Sequence, residues 1–163
     1  MKKYLILVFA GPIFISLLIG SAYAASARDA VMALAKLQAL CRDGISYTDY
    51  RNALGEAKFP VNSFLETSEA YKYPELFKSV NKAMEHYEYA GTLWNDKISN
   101  ILGAYIAADS SLGMEIKKLY PQASPEKGTT YKSSYHVEDL LPIIWNEASK
   151  EVDNIKILYS KIR

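Results

Sequence analysis

The sequence predicts an all-α protein: an antiparallel four-helix bundle with a long connection between helices 3 and 4, preceded by a signal helix. Three observations carry this expectation. Apolar residues recur at spacings of three and four in four stretches, the period of one helical face. Helix start and stop residues fall between those stretches. A segment rich in proline, glycine and hydroxyl side chains separates the third stretch from the fourth.

Met1-Lys2-Lys3 gives a positive start, Tyr4 to Leu18 is apolar apart from Gly11, Pro12 and Ser16, and Ala22-Tyr23-Ala24 places small residues where a signal peptidase reads. Residues 1–24 therefore read as a cleavable bacterial-type signal peptide, cut after Ala24. Residues 25–163 are left as a single helical domain, periplasmic or secreted. An uncleaved anchor is the competing reading, because Tyr4 to Ala24 approaches the roughly 20 apolar residues that span a bilayer. A membrane enters only in that case. No cysteine follows the cleavage site, which removes the basis for a lipid-modified amino terminus.

Loss of Met1–Ala24 takes two lysines with it and turns a formal charge of +1 into −1. Neither nucleic acid nor an anionic membrane is expected as a partner, since both call for an excess of Lys and Arg on one face. A chain of this size buries about two-thirds of its surface and needs no metal or disulfide staple.

Val31, Leu34, Leu37 and Cys41 share one side of the first helix, which Gly44 stops. Cys41 is the only cysteine, so it reads as a buried thiol, with a Cys41-linked homodimer as the alternative. Ser46 caps the second helix, whose stripe runs through Tyr47, Tyr50, Leu54, Ala57, Val61 and Phe64 or Leu65. Pro60 removes a backbone donor, so a kink or break is expected near Lys58–Pro60.

Tyr73-Pro74-Glu75 starts the third helix, with proline at the first helical position. Its stripe, from Leu76 through Val80, Ala83, Tyr87, Ala90, Trp94, Ile98 and Ile101 to Tyr105, predicts seven turns or more. Gly91 beside Ala90 suggests a close helix crossing. After Asp109-Ser110-Ser111, Leu112 to Leu119 makes a short helix, and Pro121 to Tyr135 a long loop. His136 to Arg163 resumes the helical register through Leu141, Ile144 or Trp145, Ala148, Val152, Ile155, Leu158 and Ile162, with Pro142 tolerable if it sits in the first turn. The runs Ile101–Ala107 and Leu140–Trp145 also fit strands, because periodicity does not separate short apolar strands from helices.

No catalytic constellation emerges. A di-metal carboxylate bundle needs two Glu-x-x-His pairs, but Ala83 stands three residues before His86, and His136-Val-Glu-Asp139 reads as a helix start. One cysteine excludes covalent haem attachment through Cys-x-x-Cys-His. Nucleophile-elbow, phosphate-loop and zinc-helix motifs are missing from the sequence. No metal, no cofactor and no enzymatic activity are expected.

Tyrosine is the one unusual component, at 13 residues. Tyr47, Tyr50, Tyr87, Tyr105 and Tyr159 fall on or beside core stripes. Tyr87, Trp94 and Trp145 form a candidate aromatic pocket inside the bundle. Lys127, Thr130, Tyr131, Lys132, Tyr135 and His136 form a candidate recognition loop, mixing hydrogen-bonding groups with amphipathic rings. The sequence thus leads to an exported non-catalytic module that binds another protein or an envelope component. The alternative is a small-ligand carrier or sensor using the aromatic pocket.

Overall fold

The computed structural model describes residues 16–127 and 133–162, with side chains from Ala27 onward except that of Lys127. Residues 1–15 of the expected signal, and Thr130, Tyr131 and Lys132 of the expected loop, lie outside the described residues.

The fold is mostly helical. The first helix, α1 (Ser16–Asp43), buries Ala27, Ala30, Val31, Leu34, Leu37 and Cys41, and Gly44 follows it at a φ of 88°. Ser46 then caps α2 (Tyr47–Leu65) by accepting the Asp49 amide at 3.2 Å while its hydroxyl donates to the Asp49 carboxylate at 2.6 Å. A 3₁₀ turn (Ala70–Lys72) precedes α3 (Pro74–Ile98), which opens on Pro74 as the sequence predicts. After α3 come β1 (Tyr105–Ala107), α4 (Ser111–Leu119), β2 (Glu126–Lys127), β3 (Ser133–His136) and α5 (Val137–Lys161).

The long helices close on one another through apolar faces. Helix α1 packs on α2 and α5, α2 on α3, and α3 most extensively on α5. Their buried residues join Ile106, Ile116, Tyr120 and Tyr135 from the intervening segment in one core cluster. Gly91 marks a close approach of α3 to α2, since a Cβ there would meet Leu54 Cδ2 at 3.0 Å and Tyr50 Cε1 at 3.4 Å. No helix among the described residues is long and apolar enough to cross a membrane.

Three sequence expectations need correction. Beside the helices, β1, β3 and β2 form a small antiparallel sheet in that order, with Ile106 opposite Tyr135, Tyr105 opposite His136 and Glu126 opposite Ser134. The expected long loop therefore carries two short strands, and the Ile101–Ala107 run supplies the third. Next, α3 stops at Ile98 instead of continuing to Tyr105. Asn100 adopts a left-handed conformation (φ 56°), its amide donates to the Lys97 carbonyl at 3.2 Å, and the Ile101 amide donates to the Asp96 carbonyl at 2.9 Å. This pair of bonds is a Schellman closure, which consumes the helix's last carbonyls.

Thirdly, α2 runs through Pro60 to Leu65 without a break. The buried residues Ala57, Val61 and Phe64 hold both sides of the proline to the core, which offsets the missing donor. Helix α5 starts at Val137 and carries Pro142 in its second turn.

Candidate functional site

The C-terminal part of α3, the start of α2 and the first half of α5 bring four aromatic rings together. Tyr47 enters at the first residue of α2, directly after its Ser46 cap. Three residues on, Tyr50 faces inward, and its ring lies 5.7 Å from Trp94 and 5.5 Å from Trp145. Trp94 and Trp145 are themselves 5.7 Å apart, so the three rings close a triangle. Tyr47 adds an edge contact to Trp94 at 5.5 Å and donates its hydroxyl to Asn95 Oδ1 at 2.6 Å. Such tilted contacts at 4.5–7 Å are the preferred geometry for aromatic pairs.

Of the candidate pocket residues, Trp94 and Trp145 are thus in contact, and the Tyr50 ring fills the space between them. Tyr87 lies deeper, fully buried, with its backbone carbonyl accepting the Tyr50 hydroxyl at 2.6 Å. Burial pushes the Tyr50 and Tyr87 phenols far above their ordinary pKa, so both stay neutral.

Two open grooves flank this cluster. One, of about 500 Å³, runs between α2 and α3 past Tyr47, Arg51, Gly55, Lys58, Glu88 and Thr92. The other, of about 520 Å³, runs between α1 and α5 past Gln38, Cys41, Arg42, Trp145, Asn146 and Asp153. Gln38 organises the second groove's rim, donating to Ser149 O at 3.2 Å and Asp153 Oδ1 at 3.0 Å while accepting from Lys156 at 2.6 Å. The bonds from Gln38 and Lys156 hold the Asp153 carboxyl below the usual carboxylate range. Cys41 lies at the groove's floor, 7% exposed, and burial pushes its thiol up to about 12.

The recognition-loop residues divide. Lys127 is in β2, and Tyr135 and His136 are in β3. Tyr135 is 2% exposed and belongs to the core, opposite Ile106. His136 is half-buried at the start of α5, its ring 4.9 Å from that of Tyr105 and its Nδ1 3.6 Å from Asp139 Oδ2. Tyr105, placed on the core stripe by its spacing, is 60% exposed because α3 has already ended. Ile98 and Ile101 stand exposed beside it in sequence, at 50% and 68%.

A second polar cluster joins the α4 segment to the long helices. His86 Nδ1 on α3 lies 2.9 Å from the hydroxyl of Tyr120, whose ring also contacts that of Tyr89. Burial lowers the His86 pKa, and the carboxylates of Glu147 and Glu151 offset part of that effect. Neutral imidazole is the resulting form near pH 7, accepting from Tyr120, whose phenol burial raises. With Tyr120 only 1% exposed, this pair anchors α4 to α3. Among the described residues no three His, Cys, Asp or Glu side chains converge as metal ligands.

Sequence reasoning missed Tyr50 as the hub of the aromatic cluster and the polar lining of the α2–α3 groove. Only the α2 side of that groove, where Arg51, Gly55 and Lys58 recur every three or four residues, lies within one stretch of sequence. Comparison with protein-family models, curated proteins and solved structures finds no match to this chain.

Proposed function

We propose that the protein is an exported, non-catalytic module, a single antiparallel bundle of its four long helices, that binds another protein of the cell envelope. The observation that carries the binding reading is the exposure of Ile98, Ile101 and Tyr105, three large apolar side chains in one short stretch of chain at and just after the end of α3. A partner that covered them would remove their apolar area from water. His136 lies against Tyr105 and offers a polar edge, and the ion pair between Lys97 and Glu138 ties the end of α3 to α5. An apolar centre with a polar rim is the usual layout of a protein-protein contact. Export rests on Met1–Ala24, which has the charge, the apolar stretch and the small-residue site that secretion requires.

Site-specific photo-crosslinking in native cells tests the binding reading. A crosslinker at position 101 or 105 is expected to give one discrete protein adduct, and one at Met32, exposed on α1, none. No adduct, or the same adduct from all three positions, contradicts it.

A small-ligand carrier is the second reading, favoured by the two grooves of about 500 and 520 Å³ that flank the aromatic cluster. These volumes fall within the usual range for small-molecule sites.

A further inference from the structure

Gly55 lies in the interior of α2, where glycine is the poorest ordinary helix former. A positive φ or a neighbour too close to admit a Cβ normally accounts for such a residue. Neither applies: Gly55 is helical, and a Cβ built on it meets nothing within 4 Å. Gly91, which lines the same groove from α3, is the opposite case, hemmed in by Leu54 and Tyr50. The effect of Gly55 is to keep the floor of the α2–α3 groove open.

The groove's walls are polar and charged. Arg51 and Lys58 stand one turn to either side of Gly55, and Glu88, Thr92 and Asn95 line the α3 side. Lys58 is neutralised by Glu88 at 2.9 Å. Arg51 makes no ion pair among the described residues; its guanidinium lies 5.8 Å above the Tyr47 ring, within the range of a cation–π contact. The local balance is one uncompensated positive charge, carried by a planar fork that matches a carboxylate. Leu54 and the Tyr47 ring supply apolar surface, while the Thr92 hydroxyl donates to the Glu88 carbonyl at 3.1 Å and the Asn95 amide is held between Tyr47 and Asp96, which leaves Arg51 as the group free to pair with an anion.

We propose that this groove binds a carboxylate-bearing ligand, its carboxylate paired with Arg51 and its body lying over Gly55. The carboxylate comes from a free organic acid or from an acidic side chain of a peptide, and the site's chemistry is the same for both. The inference concerns a different surface from Ile98–Tyr105 and depends neither on export nor on what docks there.

Titration of the ¹⁵N-labelled protein followed by NMR tests it with three probes: N-acetylglutamate, the capped peptide N-acetyl-Gly-Glu-Gly-amide and inorganic phosphate. Saturable shifts at the amides of Arg51, Gly55, Gly91 and Thr92 are expected with at least one carboxylate, and the tighter of the two identifies the source. Arg51→Gln should weaken that binding about tenfold or more, the effect of losing one charge-assisted pair. Gly55→Leu should abolish it while leaving the melting temperature equal or higher, because the added side chain favours helix and meets open space. Three results overturn the proposal: no saturable shift from either carboxylate up to about 10 mM, phosphate binding as tight as carboxylate, or a lower melting temperature for Gly55→Leu. Binding that survives Arg51→Gln undiminished overturns it equally.

Discussion

The Tyr50 hydroxyl donates to the Tyr87 backbone carbonyl at 2.6 Å, joining α2 to α3 beneath the Trp94–Trp145 contact. One side chain thereby does two jobs, since its ring packs against both indoles and its hydroxyl finds a buried acceptor. Tyr50→Phe keeps the ring and removes the bond, and should cost about 1 kcal/mol. Tyr50→Ala also empties the triangle and should cost about 3–5 kcal/mol. Urea denaturation followed by circular dichroism measures both; equal losses from the two variants would show that ring packing contributes nothing.

Two glycines make contrasting predictions. A Cβ at Gly113 would lie 2.8 Å from Ala108 Cα and closer still to the Ala107 carbonyl oxygen, so Gly113→Ala forces α4 away from β1. Backbone cannot rotate aside, and a loss of about 1–3 kcal/mol is expected. At Gly91 the nearest atom is the end of the Leu54 side chain, which can shift. Gly91→Ala should therefore stay within about 1 kcal/mol of the parent, the helix-propensity gain offsetting the crowding. Thermal melting ranks the pair, and a Gly113→Ala protein as stable as Gly91→Ala contradicts the close packing of α4 on β1.

The α4 anchor should be sensitive to acid. Burial lowers the His86 pKa in the folded protein, while the unfolded chain returns it to about 6.5. As pH falls the unfolded state takes up the proton first. The stability that neutral His86 contributes is full above that unfolded value and is lost as pH drops through the lower, native one. Groups facing the imidazole include Tyr120, Lys82 and Glu85 as well as Glu147 and Glu151 of α5. The urea midpoint should fall between pH 7.5 and pH 5, and His86→Gln should flatten that slope. Parallel slopes for the two proteins contradict the role given to His86.

Cys41 should react slowly. Its thiol is buried and pushed up to about 12, so little thiolate forms at pH 8. Iodoacetamide labelling of the native protein should lag far behind labelling in urea, and non-reducing electrophoresis should show monomer. Rapid native labelling would mean that the end of α1 opens readily.

Much of the helical framework was legible because local signals and the core agree. The Ser46 cap, the Pro74 start and the stripe Leu76, Val80, Ala83, Tyr87 and Ala90 are fixed by neighbours in sequence, and the structure buries that stripe. The end of α3 was misread because Ile101 and Tyr105 happen to continue the period, whereas one left-handed residue, Asn100, closes the helix. Asn100 followed by Gly103 was the available signal. The sheet was hidden for a different reason. Ser133-Ser134-Tyr135-His136 has little strand character of its own and becomes β3 through pairing with Tyr105–Ala107, a non-local contact that no window of sequence contains. The α2–α3 groove was equally obscure, since it exists only where Arg51 and Gly55 meet Glu88 and Thr92 from another helix.

Export is the claim on which an envelope partner depends, and intact-mass measurement of the protein purified from native cells tests it most directly. The account predicts a chain beginning at Ala25, recovered from the periplasmic or extracellular fraction. A chain that still begins at Met1, recovered from the cytoplasm or the membrane, contradicts it.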